Sequence, residues 1–124
     1  MPPLNTAELR QKLDEPNPFT EDALALRFSA QYAHDLRYIA TNGQWQAWDG
    51  ARWYSEKTYL VFDLARQCCR TAAREYGTGN PPNSILSAKT VAAVERMAKA
   101  DRRQATTIEQ WDADDWAFNA KREQ

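Results

Sequence analysis

The sequence has one histidine, His34, and two cysteines, Cys68 and Cys69, and it contains no Cys-x-x-Cys pair. That excludes a zinc site built on clustered histidines or on spaced thiolates, which needs four ligands at short, regular separations. The two cysteines are adjacent within a helical pattern, so their side chains diverge and a bridge between them would be strained. They read as small core residues suited to a reducing cytoplasm, with nothing beside them that lowers a thiol pKa. Only four glycines occur, all scattered, and no Gly-x-x-x-x-Gly-Lys segment is present. A backbone cradle for phosphate is therefore missing, and autonomous ATP hydrolysis with it. No apolar run approaches the roughly 20 residues that span a bilayer, and the opening MPPLNTAELR lacks the apolar core of a signal peptide. Neither sign of charge dominates: 16 basic residues face 17 acidic ones. The field of the whole molecule does not draw nucleic acid, so any such binding must be local.

Two candidate centres remain after these exclusions, and both read as structural. His34 falls at a helix end. Asp112, Asp114 and Asp115 could gather a magnesium ion, but with no second acidic group at a recognisable spacing they read as a solvated turn. No catalytic residue, cofactor or metal ligand is assigned.

What the 124 residues do contain is large apolar surface: five tryptophans, five tyrosines and four phenylalanines. A chain of this length forms one domain and buries roughly two thirds of its unfolded surface. Residues 1–19 read as a peripheral segment, with a capping-box-like Asn5-Thr6-Ala7-Glu8 and a stop at Pro16 and Pro18. Residues 20–119 form the domain, and 120–124 a polar tail. Thr20 is a good N-cap, with Glu21 and Asp22 where the helix dipole favours negative charge; the helix runs to about His34 and buries Leu24, Phe28 and Tyr32. LRYIA, QWQAW and ARWYS then change period, and Asn42-Gly43 and Asp49-Gly50 supply the positive φ angles of tight hairpins. From about Thr58 to Tyr76 a helical period returns, with Leu60, Leu64, Cys68, Ala72 and Tyr76 on one ridge and Gly77 as the stop. GTGNPPNS is a loop. Ser84 or Ser87 caps a last helix to about Gln104, with Val91, Val94, Ala98 and Ala105 on one face. The tail docks through Trp111 and Trp116. The expected fold is α+β, mostly helical, with a small three-stranded antiparallel meander at about residues 36–54 packed on amphipathic helices.

Two basic stripes are the functional candidates. Arg66, Arg70 and Arg74 recur every four residues opposite the Leu64, Cys68 and Ala72 ridge. Lys89, Arg96 and Arg103 recur every seven, away from Val91 and Val94, and Lys99 and Arg102 widen that face. Side by side, these eight cations would track a phosphate backbone or an acidic partner. The plainer alternative is two solvated helix faces diluted by Glu75, Glu95 and Asp101. Trp45, Trp48 and Trp53 would offer stacking surfaces if exposed on one sheet face, but at alternating spacing they read first as core residues.

Four stretches, DLRYIATNGQWQAWDGARW, FDLARQCCRTAARE, SAKTVAAVERMAKADRR and IEQWDADDWAFN, together resemble a known family. It is the N-terminal-like domain that precedes the superfamily 3 helicase in phage and plasmid primase-helicases and their poxvirus-type relatives. The resemblance covers about residues 20–119. It implies a mobile-element origin and a place beside the replicative helicase, linking the primase region to the motor and shaping the hexamer's collar. No active-site residue transfers. The family continues past the WDAD turn with a proline, where this chain has Asp115 and then ends in AKREQ. The leading expectation is a non-catalytic, phage- or prophage-derived replication accessory domain in the cytoplasm of a bacterial host, contacting DNA or the replicative helicase. The alternative, prompted by the Met1 start and the polar end, is a standalone mobile-element inhibitor. An anti-CRISPR or other anti-defence protein of that kind would block a nucleic-acid-handling complex, such as a Cas protein, by covering its surface.

Overall fold

The computed structural model describes residues 5–6, 17–76 and 83–113. All but Asn5 and Thr6 of the short helix that the capping-box-like Asn5-Thr6-Ala7-Glu8 would start, the loop over 77–82, the placements of Asp114, Asp115 and Trp116, and the polar tail lie outside the described residues.

Thr20 adopts extended backbone and its hydroxyl accepts the Ala23 N–H at 3.0 Å, which starts α1 (Glu21–Gln31) as its sequence requires. The helix ends short of His34. The Tyr32 carbonyl accepts the Asp35 and Leu36 amides, and this turn delivers the chain into β1 (Leu36–Ile39). β2 (Gln44–Trp48) and β3 (Trp53–Ser55) follow as two antiparallel hairpins. Their turns hold Gly43 at φ 71° and Gly50 at φ 102°, a region that side-chain-bearing residues rarely adopt. The Asp49 carboxylate supports the second turn by accepting the Ala51 and Arg52 amides.

The sheet departs from a three-stranded meander. A fourth strand, β4 (Ala105–Thr106), pairs parallel with β1, giving a mixed sheet of order β3-β2-β1-β4. Two residues are too few to carry a periodic signal, and their pairing is made across more than sixty positions of sequence.

α2 (Leu60–Glu75) buries Val61, Ala65, Cys68, Cys69 and Ala72. That face is rotated by about one residue from the expected ridge, leaving Leu60 and Leu64 half-buried and Tyr76 exposed. After the short α3 (Asn83–Leu86), the Ser87 hydroxyl accepts the Thr90 N–H at 3.2 Å and caps α4 (Ala88–Ala98). α4 does not reach Gln104. The Ala100 and Asp101 amides bond back three residues, to Met97 and Ala98, which tightens the last turn and closes the helix. Ala105, expected on the helix, stands in β4 instead.

Strand register divides the tryptophans. Leu36, Tyr38, Trp45 and Ala47 share the sheet face that meets the helices, where Leu36, Trp45 and Ala47 join Leu24, Phe28, Val61, Val91 and Val94 in one core. Trp48 pairs with Trp53 on the opposite face, because an odd separation from Trp45 inverts side-chain direction. The expectation of Trp45, Trp48 and Trp53 on one face is therefore corrected. On the far side Trp53 packs edge-on against Trp48 and against Trp111 from the helical stretch over 108–113, with centroids 5.5 and 5.3 Å apart. The Arg37 guanidinium lies 5.6 Å from the Trp53 ring. Trp111 thus docks as its composition suggested.

Candidate functional site

The residues of the two basic stripes have different fates. Arg66, Arg70 and Arg74 are exposed on α2, opposite its buried face. Asp63 holds Arg66 at 3.0 Å, and Arg74 donates to the Thr71 hydroxyl. Lys89 and Arg96 are exposed on α4, opposite Val91 and Val94. Among the described residues Arg70, Lys89 and Arg96 make no ion pair. The other three do not extend the α4 stripe, because the helix ends at Ala98. Lys99 is the C-cap and turns toward the sheet. Arg102 folds back onto the Ala100 carbonyl at 2.7 Å. Arg103 forks onto Asp101 at 2.8 and 2.9 Å, and that hydrogen-bonded guanidinium holds the Asp101 carboxyl down at about 2. α2 and α4 pack against each other by their buried faces, so the two stripes look outward from a shared core.

A second feature, not foreseen from the sequence, is a cleft of about 440 Å³ between the start of β2, residues 56–59, and the adjoining flanks of α2 and α4. Its floor is Tyr38 and Trp45, edge to face with centroids 5.1 Å apart. The Trp45 indole N–H donates to Glu95 Oε2 at 2.8 Å, and Lys99 Nζ lies 3.5 Å from the same carboxylate and 5.3 Å from the Tyr38 ring centroid. The rim is Tyr59, 83% exposed.

Tyr59 is the N-cap of α2 and sits at φ 61°, ψ 27°, the left-handed region, where an aromatic side chain is strained. Glu56 holds it there. The Glu56 carboxylate accepts the Thr58 N–H at 2.8 Å, the Thr58 hydroxyl, and the Leu60 N–H at 3.0 Å, so the backbone loops around it on both sides of Tyr59. Burial pushes the Glu56 carboxyl up, but these donors outweigh it and leave the group below its ordinary range. The side chain of a residue outside the helix thus satisfies an orphan amide of the first turn, work done at most helix starts by the N-cap itself. Composition carried no sign of this, since Tyr59 occupies a position where Ser, Thr or Asp would ordinarily be sought.

Among the described residues no group of three or more His, Cys, Asp or Glu side chains could hold a metal ion, and no helix is long and apolar enough to cross a membrane.

No curated protein and no solved structure matches the chain. The model of the family described as D5 N terminal like matches residues 25–122, which takes in α1 from Ala25 onward, the whole sheet, and α2, α3 and α4. The chain belongs to the D5 N-terminal-like family, the N-terminal-like domain of phage primase-helicases.

Proposed function

We propose that this protein is a non-catalytic accessory domain of a phage-type primase-helicase, and that it holds single-stranded nucleic acid by phosphate contacts along the outer faces of α2 and α4. Family membership supports the setting. The observation that carries the contact itself is the exposure of Arg70, Lys89 and Arg96 with no competing carboxylate paired to them among the described residues. Cations of this kind bind the backbone by releasing counterions and need no base-specific geometry. Arg66 and Arg74 add to the α2 face, Arg66 more weakly because Asp63 already holds it. Arg102 and Arg103 are spent on the turn that leads into β4, and Lys99 on the cleft.

Fluorescence anisotropy of a labelled 20-nucleotide single strand against salt concentration tests this. With three to five phosphate contacts, the logarithm of the affinity should fall with that of salt at a slope of about 2 to 3.5, since each contact on a single strand contributes about 0.7. Arg70→Glu combined with Arg96→Glu should weaken binding by about tenfold or more and flatten the salt dependence. Affinity that ignores salt, or no binding at low salt, defeats the proposal. Stable capture of a Cas effector by a protein with no affinity for nucleic acid would instead favour the standalone inhibitor.

A further inference from the structure

The cleft beside Tyr59 is distinct from the outer helix faces, and its chemistry is selective. Both carboxylates in its wall are already engaged: Glu95 by the Trp45 indole and Lys99, Glu56 by the Thr58 and Leu60 amides. Neither is left to receive a cationic ligand. The uncommitted charge is positive, because Lys57 lines the cleft, is exposed, and makes no ion pair among the described residues. On the rim of the same cleft stands the Tyr59 ring, which almost nothing covers, on a backbone whose strain is maintained by Glu56. Folding ordinarily buries a tyrosine or lets its backbone relax, and this one does neither. Strain kept at an exposed position is a mark of a residue positioned for contact with something else. Gln44 also lines the cleft, and the hydroxyl of Tyr38 reaches to the hairpin, 3.7 Å from where a Cβ on Gly43 would stand, an ordinary contact distance.

A flat ring, an adjacent free ammonium and two neutral hydrogen-bonding groups in 440 Å³ match a flat, anionic ligand. We propose that the cleft takes one nucleotide unit of a single strand, with its base stacked on Tyr59 and its phosphate at Lys57. Every base has a π face, so this contact tolerates any sequence, and the left-handed backbone holds the ring in place before the strand arrives. The contact does not depend on the cations of α2 and α4.

Tyr59→Gly separates binding from folding. Glycine accepts φ 61° without strain, so the variant should melt at or above the wild-type temperature while losing about 10- to 100-fold in affinity for a six-nucleotide deoxythymidine oligomer. Tyr59→Asn, a residue that tolerates the same backbone, should lose affinity equally, and Tyr59→Phe should stay within about twofold of wild type, because the ring alone stacks. Lys57→Gln should lose severalfold. The Tyr59 effect should persist in an Arg70→Glu, Arg96→Glu background wherever residual binding is measured at low salt, which keeps this contact apart from the helix faces. Folded Gly and Asn variants that bind like wild type overturn the proposal. Thymidine monophosphate that binds as tightly as the oligomer, with the same dependence on Tyr59, overturns the assignment to a strand in favour of a free nucleotide.

Discussion

The indole N–H of Trp45 donates to Glu95 Oε2 at 2.8 Å and so joins β2 to α4 across 50 positions of sequence. The bond explains why a tryptophan, rather than any large apolar residue, stands at this point of the core: its body is buried against Ala47, Val61 and their neighbours while its polar edge reaches the helix. Trp45→Phe keeps most of the buried surface and removes one donor from a carboxylate that retains Lys99. A loss of about 1–2 kcal/mol in urea unfolding is expected. Trp45→Ala removes the surface as well and should cost about 3–5 kcal/mol. Equal stability of the Phe variant and wild type would mean that the bond contributes nothing net.

Gln104 stabilises the crossing of α1 and β4 in a comparable way. Its side chain is fully buried, and Nε2 donates to the Ser29 carbonyl at 2.9 Å and to the Tyr32 carbonyl at 3.3 Å. Ser29 lies in the last turn of α1, where the Ala33 amide has already gone to Ala30, so the helix itself no longer supplies a donor. Gln104→Leu preserves volume but orphans that carbonyl. Chemical denaturation should show a loss of about 1–3 kcal/mol with an unchanged m-value. A leucine variant as stable as wild type would show that water replaces the amide.

What could be read beforehand follows from how local the determinants are. Thr20 and Ser87 act as caps through bonds three residues long, and Gly43 and Gly50 make the turns that Asn-Gly and Asp-Gly demand, so these features stood in the sequence. The parity of Trp45 against Trp48 was also available, because side chains in a strand alternate, yet grouping the tryptophans by composition hid it. The end of α4 was obscured because no glycine or proline follows Ala98, and the helical period runs by coincidence through Lys99, Arg102 and Ala105. β4 and the cleft were illegible for a different reason. Each is built from pieces far apart in sequence, and the strained Tyr59 backbone depends on where one neighbouring carboxylate can reach.

The Asp101–Arg103 fork makes stability depend on acid in a defined window. The Asp101 carboxyl is held at about 2 in the folded protein, against about 3.9 in an unfolded chain. The unfolded state therefore takes up the proton first as pH falls. The contribution is complete above about pH 4 and is lost progressively as pH falls toward 2. Asp101→Asn should flatten this part of the stability curve, and Arg103→Gln should bring the carboxyl back toward the ordinary range in an NMR titration. An Asp101 resonance that titrates near 4 in the wild-type protein would rule out a fork that persists in solution.

Cys68 and Cys69 are buried and free, with the Cys68 thiol 3.9 Å from the Leu24 carbonyl across the α1–α2 contact. Burial pushes both thiols up, and for Cys69 burial together with the neighbouring Cys68 takes it to about 11. At pH 8 roughly one molecule in a thousand would carry a Cys69 thiolate, and the thiol is shielded as well. A disulfide-exchange reagent should therefore leave the native protein unmodified over minutes and label both residues once guanidinium unfolds it. Because Cys69 has no exposed surface and packs with Ala65 and Ala72, Cys69→Ala should be tolerated better than Cys69→Ser, which buries a hydroxyl in an apolar site. Rapid labelling of a protein whose near-ultraviolet circular dichroism remains native would show that the α1–α2 contact opens and that these thiols are reactive groups rather than core atoms.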